Sequence, residues 1–153
     1  LLLAQEAGKI NEMTNALKTI IKNCTFGKVE VDNLPFFDLE YMFIKIRSKS
    51  VGEISNIKVT CPDDNETQVP VEVNLEEIEM VVDDKHTNKI VFSKSDMGSK
   101  EKIEFLENLN RAQFNKVQTF FETMPKVSKT IEVVNPKTEV KSKLTLEGMQ
   151  SFF

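Results

Sequence analysis

An α+β fold with three main helices and two antiparallel, zinc-ribbon-like β-hairpins is what this 153-residue sequence predicts. Two patterns point there. Apolar residues recur at three- and four-residue steps in three stretches and alternate with polar ones elsewhere, and one strand-turn-strand pattern occurs twice.

Leu3, Ala7, Ile10, Leu17, Ile20, Ile21 and Cys24 form one helical stripe, so residues 1–24 read as an amphipathic helix that ends at Asn23-Cys24-Thr25-Phe26-Gly27. A short strand is expected over 28–31. Asn33-Leu34-Pro35 then offers a cap, with proline in the first turn of a second helix over 36–49. In that helix Phe36, Phe37, Leu39, Tyr41, Met42, Phe43, Ile44 and Ile46 occupy nearly every side of the wheel, the signature of a buried core helix. It is too short to span a bilayer.

Beyond Val51-Gly52-Glu53 the period becomes two. Residues 57–60 and 69–73 alternate around the turn Pro62-Asp63-Asp64-Asn65, which predicts a hairpin. Strands over 77–82 and 89–92 are expected to flank a polar tip at Asp83-Asp84-Lys85-His86-Thr87-Asn88. Ser99 opens a third helix, whose stripe includes Ile103, Leu106, Phe114, Val117 and Met124 and which Pro125 stops. Ile131-Glu132-Val133-Val134-Asn135-Pro136 then repeats the outline of Ile57-Lys58-Val59-Thr60-Cys61-Pro62, and a second hairpin closes the chain. The expected organisation is one domain over 1–153, with a helical lobe over 1–52, a first hairpin region over 53–98, a helix over 99–125, and a second hairpin and tail over 126–153.

Composition narrows the function. Hydrophobic residues make up 40% and charged ones 29%, enough apolar material for a core without a disulfide or metal staple. Lysine plus arginine number 20 against 24 acidic residues, a net charge of −4 that gives no field for holding nucleic acid. Cys24 and Cys61 are too few for a secreted disulfide framework and fit a reducing compartment. No apolar run reaches membrane-span length and no signal-peptide core follows Leu1-Leu2-Leu3, so a soluble protein is expected. Because position 1 is Leu, the chain reads as a piece of something longer.

Chemistry is thinly represented. A zinc ribbon needs two thiolates in each of two turns. Here the turns read Cys61-Pro62-Asp63-Asp64 and Asn135-Pro136-Lys137-Thr138, so three of the four thiolate positions hold something else. Asp64 could ligate zinc, whereas Asn135 and Thr138 are poor ligands and Lys137 opposes a cation. The expectation is a ribbon outline whose metal ligands are largely lost, with turns held by proline and Asx hydrogen bonds. His86, the one histidine, sits in a polar turn remote in sequence from both cysteines. The acidic clusters lack the glycine and terminal glutamate of a calcium loop, and the five glycines are too scattered to cradle phosphate. No catalytic residue, cofactor, metal or small-molecule substrate is assigned.

Surfaces are the better candidates. Lys126, Lys129, Lys137, Lys141 and Lys143 give the second hairpin a basic edge, which either blocks strand addition or docks an acidic protein. Met149, Phe152 and Phe153 form an apolar tip that tucks back or enters a neighbour. The stripe on the first helix either covers the core helix or packs on another subunit.

Asp38-Leu39-Glu40-Tyr41, the stretch Arg47-Ser48-Lys49-Ser50-Val51-Gly52-Glu53, the Cys61-Pro62 turn and the tail Leu146-Glu147-Gly148-x-x-x-Phe152-Phe153 resemble the baseplate hub protein family of T-even-type contractile-tailed bacteriophages. Gln5-Glu6-Ala7-Gly8 agrees as well. The resemblance implies a non-enzymatic late protein that builds the central hub of the tail baseplate. It would be made in the host cytoplasm, reside in the virion baseplate, and have other baseplate hub proteins as partners. Transient action as an assembly chaperone is the nearest alternative; a zinc-ribbon-like adaptor and a small enzyme using Cys24, Cys61 and His86 are the others. On the matching residues, Tyr41 would anchor a contact through its hydroxyl, and Arg47 and Lys49 would either complement the helix C-terminus or pair with an acidic subunit. With Phe152 and Phe153 these are the candidate partner-binding residues.

Overall fold

A computed structural model describes residues 2–87, 89–91 and 109–153. The architecture is α+β: among the described residues there are three helices and two small antiparallel sheets. They belong to two compact units. The first joins the chain up to Val81 with Lys126–Phe153, and the second is Val82–Pro125.

In the first unit, α1 runs over Leu2–Cys24 and presents Leu17 and Ile21 to the interior. The expected strand over 28–31 is absent. Between the end of α1 and Pro35 the backbone is taken up by turn hydrogen bonds, Lys28 N to Thr25 O at 3.1 Å and Leu34 N to Val31 O at 3.4 Å, so these residues have no partner strand. Val31 still plugs the core. Helix α2 spans Phe36–Ser50, with Pro35 itself as the N-cap in extended backbone. Its apolar residues pack on almost all sides, fully enclosing Leu39 and Ile44 and half-burying the rest. That makes α2 the hub of the unit: it touches α1, the strand that follows the second unit, and two short 3-10 turns.

Strands β1 (Ile54–Thr60) and β2 (Gln68–Asn74) form the first hairpin, with Ile57 opposite Val71 and Thr60 opposite Gln68. The period-two pattern is realised cleanly, with Ser55, Ile57 and Val59 inward and their neighbours in solvent. Pro70 is tolerated because β2 is an edge strand of a two-stranded sheet. A 3-10 turn over Leu75–Glu77 leads into β3, which is only Glu79–Val81. The expected hairpin from there to 89–92 does not form: β3 pairs with β4 (Lys126–Val134), and residues 89–91 are not in a strand. Position 88 and Phe92 lie outside the described residues. The second hairpin, β4 with β5 (Lys141–Glu147), therefore carries an extra strand in the order β3-β4-β5. A final 3-10 turn over Met149–Phe152 folds against α2.

In the second unit, α3 covers Arg111–Glu122. Asn110 and Gln113 form a reciprocal capping box, the Asn110 side chain accepting from Gln113 N at 2.9 Å and the Gln113 side chain from Asn110 N at 2.8 Å. Ser99, Ile103 and Leu106, expected in the same helix, lie outside the described residues. Val117 and Phe120 are half-buried, while Phe114 and Phe121 remain exposed.

Candidate partner-binding site

The five residues singled out on sequence grounds do not share one face. Residues two apart on a helix project about 200° apart around its axis, and α2 uses this. On one side, Lys45 Nζ lies 5.1 Å from the Tyr41 ring centroid and donates to the carbonyls of Glu76 and Ile78 at 2.7 and 2.9 Å. One turn on, Lys49 pairs with the Glu76 carboxylate, which raises the lysine's affinity for its proton. That side of α2 is fastened to the 3-10 turn over Leu75–Glu77. On the other side, Phe43 meets Phe153 edge to face at 5.9 Å, and the Arg47 guanidinium lies 5.9 Å from the Phe153 ring centroid. Arg47 also donates to Gly52 O at 3.4 Å, just past the end of its own helix.

Phe152 and Phe153 divide the tip between them. Phe152 is fully buried and its carbonyl accepts from Ser55 Oγ at 2.5 Å, so its side chain is part of the core. Phe153 is 50% exposed. The turn that brings them there depends on Gly148, whose φ of 74° and ψ of 154° suit only glycine. Glu40 Oε1 accepts from Met149 N at 3.1 Å beneath this turn. Burial pushes the Glu40 carboxyl above its ordinary value, and the Met149 hydrogen bond opposes the shift.

The two proline turns meet directly. They are built alike: Asn65 N donates to Cys61 O at 2.9 Å and Glu139 N to Asn135 O at 2.8 Å, with Asn65 and Glu139 both left-handed at φ 55° and 61°. Cys61 and Asn135 are thus equivalent, and both are buried. Asn135 Nδ2 donates to both oxygens of Asp63, at 2.9 and 3.1 Å, and Thr138 Oγ1 donates to Asp63 Oδ2 at 2.5 Å. Asp64 turns back into its own loop, accepting from Glu66 N, Thr67 N and Thr67 Oγ1. These bonds to Thr138 and Asn135 hold Asp63 below the usual carboxylate range, and those to Thr67 and Glu66 hold Asp64 well below it. The residues present do not fit a zinc ion. An amide and a hydroxyl already donate into the carboxylate that spans the turns, and among the described residues no three His, Cys, Asp or Glu converge.

A family model described as "T4 bacteriophage base plate protein" matches residues 1–94 and 86–153, together the whole chain. The chain belongs to this family. No curated protein and no solved structure gives a significant match. Family membership makes the chain a component of the phage tail baseplate.

The groups proposed for a rival chemistry occupy ordinary settings in this baseplate protein. His86 Nδ1 lies 3.1 Å from Thr123 Oγ1, which also reaches Thr119 O at 2.8 Å. Its ring packs on Phe120 at 5.0 Å. Cys61 is enclosed and burial, with Asp63 and Asp64 nearby, pushes its thiol up, away from the thiolate needed for attack; Cys24 is exposed. No helix among the described residues is long and apolar enough to cross a membrane. Of the five lysines on the second hairpin, Lys126 pairs with Glu147 at 3.2 Å and Lys129 with Glu77 at 2.7 Å; the latter holds the Glu77 carboxyl down.

Two features of the surface and turns had not been expected from the sequence. The reach of Asp63, rather than Asp64, across to Asn135 had no local signal, because it depends on the two turns meeting. The exposure of Phe26, 87%, did have one: an aromatic at the point where a helix was expected to stop.

Proposed function

We propose that this baseplate protein is a structural or assembly component of the central hub of a contractile tail, made in the host cytoplasm and working by binding other hub proteins. The observation that carries the reading is Phe153. Phe43 and Arg47 pack against its ring while half of its surface stays exposed, so an aromatic anchor is preorganised at low entropic cost. Arg47 supplies a cation beside it for an acidic neighbour. Tyr41 and Lys49 act on the opposite side of α2 as a second, more polar contact, and Phe152 supports Phe153 from inside the core. The ribbon-like outline of the two hairpins goes with this reading, supported by their matched turns and the Asp63 to Asn135 contact.

The test is genetic and structural. Phage encoding F153A or R47E should yield baseplates depleted of this chain, with the purified variants still folded. Unchanged copy number per baseplate for both variants would remove Phe153 and Arg47 from the interface. Presence of the chain in baseplate intermediates but not in finished virions would favour the transient assembly role.

A further inference from the structure

The turn that closes α1 is a Schellman cap. Gly27 N donates to Lys22 O at 2.9 Å and Phe26 N to Asn23 O at 3.2 Å, the paired bonds that define this motif. The geometry demands a left-handed residue at the position of Phe26, where glycine is the usual occupant. Phe26 adopts it with φ 55°, although a Cβ makes this conformation costly. Nothing among the described residues offsets the cost, since the ring is 87% exposed. For the isolated chain, glycine would be better on both counts: less backbone strain and less apolar surface in water.

Strain and an exposed aromatic at one residue mark a contact made elsewhere. We propose that Phe26 is an anchor which enters an apolar pocket on a neighbouring baseplate protein, a pocket rimmed by carboxylates. The charge comes from Lys22 and Lys28, which flank the ring in sequence and are exposed; with exposed Glu30 the charges within four residues of it still balance to positive. The doubly hydrogen-bonded cap holds the ring on a rigid support, which lowers the entropy lost on binding. The inference rests on the protein-binding reading above but names a different residue, at the C-terminal cap of α1, in place of Phe153 beside α2.

The experiment uses the whole chain expressed from the phage genome, in variants F26G, F26N, F26W and K22E/K28E. Two quantities are read: the melting temperature of the purified chain, and the ratio of variant to wild-type copies in purified baseplates when both are made in one cell. F26G should raise the melting temperature by about 2–4 °C and fall behind wild type by about tenfold or more in baseplates. F26N, which tolerates the same backbone conformation, should show the same incorporation defect, F26W should incorporate normally, and K22E/K28E should lose ground. Equal incorporation of F26G and wild type overturns the anchor while leaving the baseplate reading intact. A lowered melting temperature for both F26G and F26N overturns the strain argument and the proposal with it. Dimerisation of the purified chain that F26G abolishes replaces the heterologous partner with a second copy. Absence of wild-type chain from baseplates and their intermediates overturns the reading on which the inference rests.

Discussion

The Asn135 side chain donates to both carboxylate oxygens of Asp63, 72 residues earlier, at 2.9 and 3.1 Å, and is itself only 1% exposed. Its Oδ1 is also used, accepting from Lys137 N at 2.9 Å. One amide thus fastens two hairpin turns, using both its nitrogen and its oxygen.

Truncation of Asn135 exposes how much this fastening matters. N135A removes the donors, leaves Lys137 N without its acceptor and opens a void in the buried turn, at a cost of about 1–3 kcal/mol. Urea denaturation of the purified chain measures it. A change within error would show that the turns hold without the clasp.

Acid should loosen the same contact. Asp63 and Asp64 both have folded-state values below the ordinary 3.8, so the unfolded chain binds protons first as pH falls. Their stabilisation is fully present above about pH 4 to 5 and is lost as pH drops below that range through the folded values. D63N opposes two amide donors at the clasp and should lower the denaturation midpoint at neutral pH while flattening the acid limb. An acid limb in D63N as steep as wild type would assign the acid sensitivity elsewhere.

Much of the fold is legible because it follows from local pattern. The stripe of Leu17 and Ile21, the all-round apolar character of 36–49, and the alternation through Ile57 and Val59 each specify an element by its own periodicity. What was illegible depends on pairing at a distance. Val29 and Val31 look strand-like, yet among the described residues no strand pairs with them. Glu79–Val81 looks like half of a hairpin with 89–92, yet its ladder is with β4 more than forty residues on. At the candidate site, the tail's aromatic pair was visible, but its division into a buried Phe152 and an open Phe153 was not, since that follows from the Gly148 turn and Glu40 beneath it.

That turn makes two further predictions. Gly148 lies in a region essentially closed to side-chain-bearing residues, so G148A should cost about 1–3 kcal/mol. F152A, deleting a fully enclosed ring, should cost about 3–5 kcal/mol. Thermal and chemical denaturation of the two single variants check both values; F152A behaving as a mild surface change would contradict the tucked arrangement.

Glu40 carries the opposite pH sign to Asp63. Its folded value lies above the ordinary 4.5, so its contribution favours the folded state most at low pH and is lost as pH rises through the folded value. E40Q keeps an acceptor for Met149 N without the charge. It should therefore be more stable than wild type at neutral pH, with the difference shrinking as pH falls through the folded value towards about pH 4.5. A constant difference across that range would show that the carboxyl is not perturbed.

The matched turns predict a stabilising change. Asn65 tolerates the left-handed conformation, whereas Glu139 holds the same conformation at φ 61° with no such tolerance. E139G should raise stability by about 1 kcal/mol, read as a shift in denaturation midpoint. A loss of stability would mean that the Glu139 side chain makes a contact worth more than the strain.

Cryo-microscopy of intact tails, with this chain traced in the baseplate density, tests the central claim most directly. The account predicts the chain in the hub with the exposed part of Phe153 in van der Waals contact with a neighbouring protein and Arg47 beside a carboxylate. A traced chain whose Phe153 and Arg47 both face solvent, or a chain located away from the hub, would contradict it.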